Sequence, residues 1–163
     1  MKAASVKEIK DELNALSSSQ LLEFCMRLAK YKKDNKELLS YLLFYHQDEE
    51  GFLQDVINEI KTLFQDVNTR QLYLAKKTIR KIIRISHKYA RYSSNKSTEA
   101  SIVIYLIRSI NELPLHKEES VALTNIYTSL VKKANTIIST FHEDLQYDFQ
   151  KELKSAEAVV HKH

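Results

Sequence analysis

Glycine, proline and cysteine each occur once in 163 residues, and tryptophan is absent. Each scarcity excludes something. Phosphate-cradling and oxyanion loops use glycine for positive φ or close backbone approach. With Gly51 alone, a dinucleotide fingerprint, a P-loop and a nucleophile elbow are all missing. Multi-hairpin β architecture is excluded on similar grounds, because its turns draw on Gly, Asn-Gly and Pro. A lone Cys25 forms no internal disulfide, so nothing calls for an oxidising compartment. The opening residues MKAASVKEIK contain no apolar signal-peptide core. The longest apolar run, Ile102 to Ile107, is far short of the roughly 18 residues that span a bilayer. The expectation is a cytoplasmic protein.

What is present is helical periodicity, nearly end to end. Ser5 with Glu8 forms a capping-box pattern before Val6, Ile9, Leu13 and Leu16. Ser17, Ser18 and Ser19 offer caps for a second helix carrying Leu21, Leu22, Cys25, Leu28 and Ala29. A third helix follows Asp34 and Asn35 and holds Leu38, Leu39, Leu42, Leu43 and Tyr45. Asp48 caps a fourth, with Glu49 and Glu50 where the helix dipole favours acids. Asn68 or Thr69 caps a fifth, which runs to about Tyr92 over the stripe Leu72, Ala75, Ile79, Ile82, Ile83, Ser86 and Ala90.

The sixth element, Ala100 to Ile110, has a β-branched run. With no second strand to pair with, it reads as a buried central helix, apolar all round. Leu113-Pro114-Leu115 stops it. A seventh helix begins near Glu118, and Thr140 with Glu143 either restarts a helix or lies within a continuing one. The expected fold is all-α, with seven or eight antiparallel helices in a compact bundle or a short irregular repeat-like stack. One domain over residues 1–163 is expected, frayed at 158–163.

Charge is unevenly distributed within a net +4. Residues 48–66 hold six acids and one cation, whereas residues 67–98 hold nine cations and no acid. On a helical wheel the apolar stripe of the fifth helix covers about 100°. Arg70, Lys76, Lys77, Arg80, Lys81, Arg84, Lys88 and Arg91 cover about 140° of the other side. Tyr73 and Tyr92 lie in or beside that arc, and His87 sits at its edge. Such a face suits an anionic partner. Lysine and arginine neutralise carboxylates or phosphates, and an exposed tyrosine stacks on a base.

The partners in view are an acidic protein segment and, as the alternative, a nucleic-acid backbone bound without sequence reading. A membrane is disfavoured, because the apolar face looks committed to a core. The bland readings are a solvated face, or one offset by the acids of residues 48–66. A homo-oligomer through a leftover apolar face, on the sixth or last helix, is a further option.

Chemistry-bearing constellations are mostly negative. Phe141-His142-Glu143-Asp144-Leu145-Gln146 opens like a zincin helix but has Gln146 where the second histidine belongs. Cys25, on its helix's apolar stripe, reads as a buried structural thiol. No catalytic residue, metal ligand or cofactor site is expected, and the chain reads as a binding or scaffolding module rather than an enzyme. An enzyme with an unrecognised polar pocket is the second alternative.

The stretch Leu16-Ser17-Ser18-Ser19-Gln20-Leu21-Leu22-Glu23, with Leu28-Ala29-Lys30 and Asn35-Lys36-Glu37-Leu38-Leu39, resembles the opening of a group of small uncharacterised bacterial all-helical proteins. Tyr73 to Lys81 and His142 to Asp148 resemble the same group. The resemblance implies a bacterial cytosolic helical domain and transfers no functional residue. A looser likeness to HEAT-type and armadillo-type stacks is architectural only.

Overall fold

A computed structural model describes residues 2–115 and 120–158. Among them are eight α-helices, one π-helical turn and no strand, as the periodicity implies. The chain divides into two compact units, Met1–Phe44 and Tyr45–His163. No shift of composition in the single domain expected over residues 1–163 marks this division. The boundary falls inside the π-helical turn Tyr41–Tyr45, in a stretch without glycine or proline to mark it. Of the tail expected to fray at 158–163, Ala158 ends the last helix and the remainder lies outside the described residues.

The first unit contains α1 (Val6–Asn14), α2 (Ser18–Tyr31) and α3 (Lys33–Ser40). Two capping boxes hold its helix starts, Ser5 with Glu8 and Ser17 with Gln20. Gln20, three residues after Ser17, completes the second of these pairs. Lys32, in extended conformation, separates α2 from α3, and Asn35 Nδ2 donates to the Leu28 carbonyl across that break at 2.9 Å. None of the three helices buries a residue. Cys25 is exposed, which corrects the reading of a buried thiol. An apolar stripe shows that a helix is amphipathic, not that something covers it.

The second unit contains α4 (Glu49–Gln65), α5 (Leu72–Ser93), α6 (Lys96–Asn111), α7 (Val121–Ile138) and α8 (Glu143–Glu157). Here α6 is the axis, in contact with α4, α5, α7 and α8. The unit's main contacts join helices one or two places apart in the chain, a pattern shared by both expected forms, the bundle and the short stack of helix pairs. The β-branched run accounts for the central place of α6: Ile102, Val103, Leu106, Ile107 and Ile110 are all fully shielded from solvent, while Ser97, Ser101, Tyr105 and Arg108 form a half-buried, largely polar stripe along its outer edge. The leftover apolar face that sequence placed on the sixth or last helix therefore does not lie on α6.

Local signals set the ends. Asp48 Oδ1 accepts from Gly51 N at 2.9 Å and caps α4. Asn95 Oδ1 accepts from Ser97 N and Thr98 N and caps α6. Helix α5 starts later than expected. Asn68 Oδ1 accepts from the amides of Arg70 and Gln71, which closes a turn, and Gln71 becomes the N-cap. Neither Asn68 nor Thr69 caps the helix. The chain does restart after α7, at Glu143, but with His142 at the N-cap. Thr140 instead donates back to the Ile137 carbonyl. The start expected for α7 near Glu118 lies outside the described residues; the helix runs from Val121 with Ser120 as its cap.

Candidate functional site

Helix α5 is anchored through Ala75, Ile79, Ile82, Ser86 and Ala90, all buried. Leu72 and Ile83 are half-buried at the margins. The Ser86 hydroxyl sits in the core because it donates to the Ile82 carbonyl at 2.9 Å. With this stripe fixed inward, the opposite face of the helix turns outward.

Most of the expected face is there. Lys77, Arg80, Lys81, Arg84 and Arg91 are exposed, and Lys76 is half-buried. Tyr73 stands 73% exposed among them. Tyr73, Lys76, Lys77, Arg80, Lys81 and Arg84 line an open groove of about 840 Å³ along the helix. Two residues of the set are placed differently. Arg70 is exposed, but it lies in the turn before α5, so the helical wheel does not govern it. Tyr92 is half-buried against Tyr89, ring centroids 6.0 Å apart, with the Lys88 ammonium 5.3 Å from one ring and 5.9 Å from the other. That cluster holds Tyr92 and Lys88 together at the C-terminal end of the face.

Several acids of residues 48–66 are taken up by hydroxyls and a helix cap. Glu59 accepts from the Tyr89 hydroxyl. Asp55 accepts from the Tyr45 hydroxyl at 2.9 Å, and that bond raises the tyrosine's pKa above its ordinary value. Glu49 accepts from Ser93 and from Thr98, which ties α4 to the end of α5 and the start of α6. Asp48 is a cap. Among the described residues no carboxylate lies within ion-pair distance of Arg70, Lys76, Lys77, Arg80, Lys81, Arg84 or Arg91. Sequence reasoning had no means of finding these hydroxyl partners, which lie 10 to 49 residues from their acids.

A second, smaller cleft of about 390 Å³ lies between α5 and α7. Arg80, His87 and Lys133 contribute to its lining, with Asn125 and Ser129. Lys133 is already paired with Glu99 at 2.7 Å. The Nε2 of His87 is shielded from solvent and has no hydrogen-bond partner. Burial lowers the pKa of His87 below its ordinary value, with Lys133 and Arg91 acting in the same direction and Glu99 against them. The other sequence candidates do not converge. His142 is an exposed N-cap residue, and no group of three metal-ligating side chains occurs among the described residues. No described helix is long and apolar enough to cross a membrane.

Comparison with known protein families, with characterised proteins and with solved structures finds no match.

Proposed function

We propose that the chain is a non-enzymatic binding module whose α5 face receives an acidic protein segment in helical form. The observation that carries this reading is that, among the described residues, Lys77, Arg80, Lys81, Arg84 and Arg91 have no carboxylate within ion-pair distance, beside an acidic neighbouring helix. Cations left unpaired within their own domain keep their full field for a partner.

Spacing favours a helical acidic partner. Lys77, Arg80, Lys81 and Arg84 recur at three and four residues, hence at roughly 4.5–6 Å along the axis. A helix carrying Asp and Glu at the same intervals repeats its carboxylates at the same rise. The reading places the module in the cytoplasm, where a single exposed thiol such as Cys25 stays reduced.

The exposure of Tyr73 among the cations favours a second reading, a single-stranded nucleic acid bound by backbone charge and one stacked base. Fluorescence anisotropy separates the two. A labelled Glu-rich amphipathic helical peptide and random single- and double-stranded oligonucleotides are titrated at several salt concentrations. Peptide binding that weakens with salt supports the first reading. Oligonucleotide binding without peptide binding replaces it with the second. No binding of either at low salt overturns both.

A further inference from the structure

We infer that the N-terminal unit is a self-association surface, in which the trough between α1 and α2 is filled by the same helices of a second copy. Ile9, Leu13 and Leu16 on one side and Phe24, Leu28 and Tyr31 on the other line an open trough of about 910 Å³. Its walls are unburied: Ile9 is 47% exposed, Leu28 60% and Tyr31 75%. Helix α1 has nine residues, fewer than the roughly 12–15 at which an isolated helix becomes even marginal in water. Its capping box fixes where it starts, but none of its residues is buried.

Charge selects a second copy as the occupant. The acids on the trough, Glu8 and Glu12, both come from α1, and the cations, Arg27 and Lys30, both come from α2. Glu8 is engaged by the Ser5 amide and hydroxyl, each at 2.7 Å, which holds its carboxyl below the usual range. Glu12, Arg27 and Lys30 have no partner among the described residues. One acidic lip and one basic lip make the trough self-complementary. A two-fold axis sets α1 of each copy against α2 of the other, so both lips are matched at once.

Sedimentation equilibrium on the full chain tests the inference, over about a hundredfold range of concentration. The wild type is expected to dimerise, and Leu13→Glu to be monomeric throughout with unchanged helical circular dichroism. Glu12→Lys and Arg27→Glu each place like charges at both symmetric contacts. Each is expected to weaken association by about tenfold or more. Mixing the two variants restores association. In the mixed dimer the lysine introduced in one copy meets the glutamate introduced in the other, and the unaltered Arg27 meets the unaltered Glu12. Pairing within a single chain does not give that rescue. A wild type that stays monomeric overturns the inference, whether or not it binds anionic lipid vesicles. So does a dimer indifferent to both reversals, or a mixture no tighter than the single variants.

Discussion

The Tyr89 hydroxyl donates to the Glu59 carboxylate, 2.9 Å from one oxygen and 2.8 Å from the other, across thirty residues of sequence. This bond joins α5 to α4 without using a cation of α5. The acidic helix is held to the basic helix through hydroxyls, and the exposed cations stay available. Replacing Tyr89 by Phe keeps the ring and removes the donor. The expected cost is about 1 kcal/mol of stability, read from the urea midpoint at constant m-value.

Asn111 closes the far end of the second unit. Its buried side-chain amide donates to the Ala156 carbonyl at 2.8 Å and to the Tyr127 hydroxyl at 3.2 Å, so the end of α6 holds both α7 and α8. Asn111→Ala leaves a buried carbonyl without its donor. A loss of roughly 1–3 kcal/mol is expected. Amide hydrogen exchange is expected to quicken more in α8 than in α4.

Ser94 has φ 55°, the one positive φ among described residues other than glycine, where α5 ends. Glycine takes that conformation without strain from a Cβ. Ser94→Gly is expected to raise stability by about 1 kcal/mol, visible as a higher thermal midpoint.

His87 gives the second unit a pH dependence. Its folded pKa lies below the unfolded value, so the unfolded chain takes up the proton first as pH falls. Its stabilising contribution is complete above about pH 6.5 and is lost progressively below that, down to the folded pKa. The groups facing it are Lys133 and Arg91, which disfavour the proton, and Glu99, which favours it. Urea midpoints measured from neutral to mildly acidic pH are expected to fall in the wild type. His87→Gln is expected to flatten that part of the profile.

Much of this architecture was legible in the sequence. Ile102 to Ile107 could only be strand or fully buried helix, and the lack of a pairing strand decided it. The stripe from Ala75 to Ala90 fixed which side of α5 faces inward, and therefore where its cations lie. Asp48 and Ser5 marked helix starts by their chemistry. What stayed hidden was tertiary. Nothing local tells that Tyr45, Tyr89, Ser93 and Thr98 take up the carboxylates of α4, or that Asn68 closes a turn that leaves Arg70 outside the helix. Cys25 and its neighbours show the same limit from the other side. Their spacing predicts an apolar face, but coverage depends on what lies opposite.

The central claim is that the exposed cations of α5 form the contact surface. The most direct test compares the triple variant Lys77→Glu, Lys81→Glu, Arg84→Glu with a control reversing Lys132, Lys151 and Lys154, exposed residues on α7 and α8. Each is titrated by anisotropy with the acidic helical peptide at low and moderate salt. With exposed pairs contributing roughly 0.2–1 kcal/mol each, the α5 variant is predicted to lose about tenfold or more in affinity and most of its salt dependence. The control is predicted to stay within about twofold of the wild type. Equal losses in both variants, or wild-type binding by the α5 variant, would contradict the account.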